Sequence, residues 1–179
     1  MADVWRIIGI DPGLERTGYA VLELPDTPGL AEPRLVEAGV IRLGRTGPGG
    51  MAPRLGQLHA DLASIIDEFV PPATSATRAT LAVEKLYAHY AHPRTAILMA
   101  HARGVILLAA QQRGLEVVDL PSTEVKKAVT GHGHASKEQV QRAVASQFNL
   151  AEPPEPPDVA DAMAVALCHA RRLAVARLA

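Results

Sequence analysis

Cysteine is almost missing from this chain. Cys168 is the only one in 179 residues, so no disulfide framework can form within it. A reducing cytoplasm suits that usage. Aromatic residues are scarce as well, at 3%, so the core has to be assembled from Ala, Val, Leu and Ile. No apolar run approaches the ~20 residues that a membrane helix needs, and no membrane span is expected. The opening Met1-Ala-Asp-Val-Trp-Arg runs directly into a strand pattern and lacks the layout of a signal peptide. A net charge of one sign is also missing. Lys and Arg number 18 against 19 Asp and Glu, which leaves −1 and, taken globally, argues against a nucleic-acid protein.

What is present excludes a disordered chain, since 48% of residues are hydrophobic and only 21% charged. The length predicts one domain over 1–179, with the last ten or so residues as a looser tail. The charges are unevenly spread. Residues 1–84 hold 7 Lys and Arg against 11 Asp and Glu, whereas residues 85–142 hold 8 against 4. A basic face beside an acidic pocket is one reading, and ordinary scatter of surface charge is the other.

Hydrophobic periodicity predicts an α/β fold. Strands are expected at Val4–Ile10, Gly18–Leu24, Arg34–Leu43, Thr80–Glu84 and Leu115–Leu120, with Asp11-Pro12-Gly13 as the first turn. The first three strands, on short connections, read as an antiparallel meander. Apolar residues from Leu55 to Phe69 recur every three or four positions, which predicts a helix. Thr95–Arg113 is a long apolar helix stopped at Gly114, and Pro121-Ser122-Thr123 opens a short one. Ser136 and Gln139 form a capping box for the next helix, and the last helix starts near Asp158. This order predicts a five-stranded mixed sheet flanked by helices.

Four acids fall where elements end. Asp11 and Glu84 close the first and fourth strands, and Asp158 and Asp161 share one face of the last helix. Each has a plainer reading. Asp11 suits a turn, and the Asp158 and Asp161 pair suits the positive end of a helix dipole. Glu84, ending an apolar strand, has the weakest structural excuse. If strands one and four are neighbours, the four carboxylates meet at the carboxyl ends of parallel strands. Such a cluster calls for a counter-cation, and Mg²⁺ or Mn²⁺ prefers oxygen ligands. A pair of such ions is a known device for phosphodiester hydrolysis.

These residues also carry a resemblance. Ile8-Gly-Ile-Asp-Pro-Gly-Leu-Glu-Arg-Thr-Gly-Tyr-Ala-Val21 resembles the opening motif of the RuvC family, the bacterial Holliday-junction resolvases. Val83-Glu84-Lys-Leu-Tyr87, Ala102-Arg-Gly-Val105, the block Val125–Gln141 and Asp158-Val-Ala-Asp161-Ala-Met-Ala-Val-Ala166 resemble its later motifs, in order. Departures are Ala88–Arg94, one residue longer than the family's usual stretch, and Ala100-His101 where the family tends to have Gly-Gln.

The resemblance implies an RNase H-like fold and an endonuclease that cuts two opposed strands of a four-way DNA junction in recombination and repair. It implies metal-holding and catalytic roles for Asp11, Glu84, Asp158 and Asp161, with two Mg²⁺ or Mn²⁺ ions per site. Lys126 and Lys137 match positions near the scissile phosphate, and Tyr87 matches an aromatic that stacks on junction bases. Tyr90, Arg94, Arg103, Lys127 and His132 are the further DNA-contact candidates. It also implies a homodimer, with helix 95–113 as the natural pairing surface, acting in the cytoplasm with the RuvA–RuvB branch-migration complex.

Other readings remain beside it. His132 and His134 lack the third ligand that a zinc site needs. Ile8-Gly-Ile-Asp-Pro-Gly also resembles the phosphate loop of actin-like ATPases and sugar kinases, but those need two such domains and a longer chain. An RNase H-like nuclease, or a junction-binding protein, with a different nucleic-acid substrate is the remaining alternative.

Overall fold

The computed structural model describes residues 4–13, 15–26, 32–43, 50–70, 77–86 and 93–177. Among them the chain order is β1 (Val4–Asp11), β2 (Arg16–Pro25), β3 (Arg34–Arg42), α1 (Met51–Phe69), β4 (Thr77–Glu84), α2 (Pro93–Gln111), β5 (Glu116–Leu120), α3 (Ser122–Thr130), α4 (Lys137–Gln147) and α5 (Pro157–Ala176). The sheet order is β3-β2-β1-β4-β5. β1, β2 and β3 form the antiparallel meander expected from their short connections. β4 and β5 then continue the sheet parallel to β1.

Two hydrophobic layers follow from the two-residue period of the strands. Ile8, Ile10, Leu81 and Val83 pack with Leu58, Leu62 and Ile66 of α1 and with Ala102, Ile106 and Ala109 of α2. Ile7, Ala20, Leu22 and Ala82 pack on the other side with α5 and with Val125, Val140 and Val144 of α3 and α4. Alternation therefore puts Asp11 and Glu84 on the α5 side, because each follows an inward residue of the α1–α2 side.

Two glycines let α5 lie very close to the sheet. A Cβ at Gly9 would stand 2.4 Å from the Ala162 carbonyl oxygen and 2.6 Å from the Ala166 Cβ. One at Gly18 would stand 2.0 Å from the Asp158 carbonyl oxygen. Ala162 and Ala166, one turn apart, keep the helix side of that contact equally thin. Glycine inside a strand is the usual mark of such a backbone approach.

Helix ends follow their local chemistry. Ser136 and Gln139 make the expected capping box: the Gln139 amide donates to Ser136 Oγ at 3.3 Å, and the Ser136 amide donates to Gln139 Oε1 at 2.8 Å. Gly114, at φ 69°, takes the left-handed conformation that follows a helix end. α1 starts four residues before the apolar stripe begins, because Met51, Ala52 and Pro53 fit a first turn, where Pro is tolerated. The tail expected to be loose is helical through Ala176. Ala174 is buried, and Arg177 pairs with Asp26 at 2.5 Å and donates to the Pro25 carbonyl oxygen at 3.1 Å. Among the described residues no helix is long and apolar enough to cross a membrane.

Candidate active site

The register of β1 against β4 ends on Ile10 beside Val83. The next residues, Asp11 and Glu84, therefore lie side by side at the carboxyl ends of two parallel strands. α5 crosses β1 and β2 at Gly9 and Gly18, and that crossing sets its first turn against the same spot. Asp11, Glu84 and Asp161 line one pocket of about 230 Å³. Ser122, Val125 and Lys126 of α3, Lys137 and Val140 of α4, and Ala164 of α5 complete its wall. Lys137 Nζ lies 3.5 Å from the Asp161 carboxylate. Asp158 is not among the lining residues, and its carboxylate lies 3.4 Å from Arg16 Nε.

The acids strain against one another. Burial pushes the Asp11 carboxyl up to about 8, and the charges of Asp161, Glu84 and Asp158 push the same way, with Lys137 opposing. Glu84 is raised first by burial and then by Asp161, against Lys126 and Lys137. Burial raises Asp161 too, while Lys137 pulls it back. Three carboxyl groups held above their ordinary range in one pocket mark a place short of positive charge.

The donors fit a hard divalent cation. Among the described residues the lining offers three carboxylates and the Ser122 hydroxyl, with two lysines and no thiolate or imidazole, which suits Mg²⁺ or Mn²⁺ rather than zinc. Among the described residues no three Asp, Glu, His or Cys side chains close on one point as a finished ligand shell. The carboxyls stand around the pocket wall, with Lys137 drawn against Asp161. Their mutual repulsion, rather than a closed cage, identifies the site.

The other residues singled out in the sequence are dispersed. Arg94 is exposed at the start of α2, and His132 is exposed just after α3. Lys127 faces away from the acids, into a groove between α3 and α5 beside Ala128, Cys168 and Val175. Arg103 is turned inward instead of outward toward a DNA surface. Its Nη1 donates to the Glu84 carbonyl oxygen at 2.8 Å, and Nη2 pairs with the Asp119 carboxylate. Tyr87 and Tyr90 lie outside the described residues. Sequence reasoning missed Ser122 as a wall residue, the Arg16 pairing of Asp158, and the two glycines that seat α5. Only the glycines carried a signal, as small residues inside strand patterns.

The sequence model described as "Crossover junction endodeoxyribonuclease RuvC" matches residues 7–169. The chain belongs to the RuvC family. A RuvC of that description from Rhodopirellula baltica is 48% identical over 164 residues, covering 90% of this chain and 84% of the relative. One from Moorella thermoacetica is 43% identical over 166 residues, covering 92% and 90%. The structure of Thermus thermophilus RuvC in complex with a Holliday junction substrate is similar at a TM-score of 0.80 and 32% identity, over 97% of this chain and 96% of that one. A Fowlpox virus resolvase, at 10% identity and a TM-score of 0.50, shares the fold. The five-stranded mixed sheet flanked by helices is thus the RNase H-like fold of RuvC, and the chain is a DNA endonuclease of this metal-dependent family.

Proposed function

We propose that this chain resolves four-way DNA junctions by metal-dependent hydrolysis of phosphodiesters in two opposed strands, in recombination and repair. The observation that carries the reading is the pocket in which Asp11, Glu84 and Asp161 face Lys126 and Lys137, in a chain whose relatives are crossover junction endonucleases. Asp11, Glu84 and Asp161 would hold Mg²⁺ or Mn²⁺, two ions per site, with Asp158 as a further ligand. When bound, the ions would supply Lewis acidity at the phosphate and a water of lowered pKa. Lys126 and Lys137 offset charge developing on the phosphate oxygens. Lys137, which is 74% exposed and pairs with Asp161 at 3.5 Å, meets the DNA phosphate in this reading.

DNA grip comes from outside the pocket. Tyr87 and Tyr90, in the segment between β4 and α2, stack on junction bases, and Arg94, Lys127 and His132 contact phosphates. The whole of 1–179 works as one nuclease domain. Two opposed cuts require two sites, and a homodimer supplies them through α2, where Ile97 is 58% and Leu108 51% exposed. Work with the RuvA–RuvB branch-migration complex in the cytoplasm completes the reading.

A synthetic four-way junction tests it. With Mg²⁺ or Mn²⁺, paired nicks are expected in opposed strands, while a linear duplex of the same sequence stays intact. A chain that binds the junction but leaves it uncut with either metal would sink the proposal.

The raised carboxyl of Asp11 adds a pH-dependent test. Its folded pKa, about 8, lies above the ordinary 3.8. The stability it contributes is therefore complete below the ordinary value and lost as pH rises to about 8. A bound cation replaces that proton, so metal should bind more strongly at higher pH. The rise in melting temperature on adding Mn²⁺, relative to chelator, is expected to be larger at pH 8.5 than at pH 6. Equal rises at both values would show that no buried carboxyl gives up a proton to the metal.

A further inference from the structure

Glu84 is the last residue of β4, and its side chain can be no better placed than the backbone that carries it. On one side that backbone is tied to β5, where the Lys85 amide donates to the Leu120 carbonyl oxygen at 2.8 Å. Strand ends fray unless something holds them. Arg103 reaches this point from α2, on the sheet face opposite α5. Its Nη1 donates to the Glu84 carbonyl oxygen at 2.8 Å, and Nη2 pairs with the carboxylate of Asp119 on β5. Asp119 is the register partner of Val83, so one rigid guanidinium bridges both strands just where the pocket begins. The Arg103 side chain is 12% exposed and its bond to the Glu84 carbonyl is partly buried, whereas Asp119 is half-exposed, so the carbonyl contact is the stronger of the two anchors. Arginine suits this task better than lysine, because its planar fork meets two acceptors at once.

We propose that Arg103 is a positioning residue for Glu84, a clamp from α2 that holds the carboxyl end of β4, and with it the Glu84 carboxylate, at the metal pocket. The clamp rests on the metal-dependent reading above. It replaces a DNA-contact role for this arginine with one that acts through the ligand.

Three variants test it in the full-length chain: Arg103→Gln, Arg103→Lys and Asp119→Ala. Loss of a residue that orients a metal ligand costs on the order of 10–100-fold in metal affinity or activity. Arg103→Gln should therefore shift half-saturation upward by about tenfold or more, read both from cleavage and from the Mn²⁺-induced rise in melting temperature. Junction affinity in chelator should stay within about twofold, since a DNA contact is not removed. Arg103→Lys should recover part of the shift, because one ammonium can still reach the Glu84 carbonyl. Asp119→Ala, which leaves the Glu84 contact but removes the outer anchor, should shift the metal curve in the same direction by less. It carries the test if Arg103→Gln does not fold.

An unchanged metal curve in the folded variants overturns the clamp. So does a variant with a normal metal curve and weakened junction binding, which would return Arg103 to the DNA surface. Wild-type chain that fails to nick with either metal would instead remove the nuclease reading itself, so the two failures are separable.

Discussion

Asp11→Asn should abolish junction cleavage and, in chelator at pH 8.5, make the protein more stable than wild type. The two effects have one cause. Asp11 sits beneath the pocket, and burial together with three acidic neighbours holds its carboxyl up to about 8. Above that pH the folded chain carries a buried negative charge that the unfolded chain would solvate freely. Asparagine keeps the shape and removes the charge, so the repulsion disappears. At pH 6 the unfolded chain already ionises Asp11 while the fold holds it protonated, so the gain should be present but smaller, and it should vanish only below the ordinary carboxyl value of 3.8. Cleavage behaves oppositely, because an amide is a poor substitute for an anionic ligand. Loss of one preorganised charge-stabilising group costs on the order of 10²–10³ in rate, and a metal ligand should cost at least that much. Glu84→Gln and Asp161→Asn should follow, with smaller gains in stability because their acids stand nearer the lysines. Junction affinity should hold, as it depends on basic and stacking groups. Melting curves at the two pH values, with single-turnover cleavage alongside, check the pair of effects. Asp11→Asn that nicks at wild-type rate, or that melts lower at pH 8.5, would show that Asp11 is no part of a strained metal pocket.

The acids were legible because each stood at a place where the local pattern broke. Glu84 ended an apolar strand, and Asp11 stood in front of a Pro-Gly turn. Asp158 and Asp161 fell three apart at the start of a helix. The meander was legible from period-two alternation and short connections, and the capping box of α4 from Ser136 and Gln139 alone. What escaped depends on contacts between distant segments. Nothing near Arg103 in the chain announces that its guanidinium turns inward to a carbonyl 19 residues away. α2 is apolar nearly all round, so its length predicted a helix while its pattern did not say which face meets the sheet. The end of α5 was misread as loose because its anchor, Asp26, lies 151 residues from Arg177 in the chain. Gly9 and Gly18 looked like weak points in strands until the position of α5 gave them a purpose.

That purpose predicts a second large effect. Gly18→Ala should cripple cleavage far more than it lowers stability. Its Cβ would stand 2.0 Å from the Asp158 carbonyl oxygen and 2.6 Å from the Asp158 carbonyl carbon. Both are backbone atoms, so no rotamer change can relieve the overlap, and the first turn of α5 has to lift. Overpacking of this kind costs ~1–3 kcal/mol. The same lift carries Asp158 and Asp161 away from Asp11 and Glu84, and a misplacement of about 1 Å at a reacting centre can cost on the order of 10²-fold. Gly9→Ala should act in the same way, because its Cβ would stand 2.4 Å from the carbonyl oxygen of Ala162, next to Asp161, so both cleavage and the melting temperature should fall. Gly56→Ala in α1 is the control, since a Cβ there meets nothing within 4 Å. It should leave cleavage unchanged and stabilise the helix by ~1 kcal/mol. Gly18→Ala that cuts a junction at the wild-type rate would mean that the seat of α5 on β2 does not set the position of its acids.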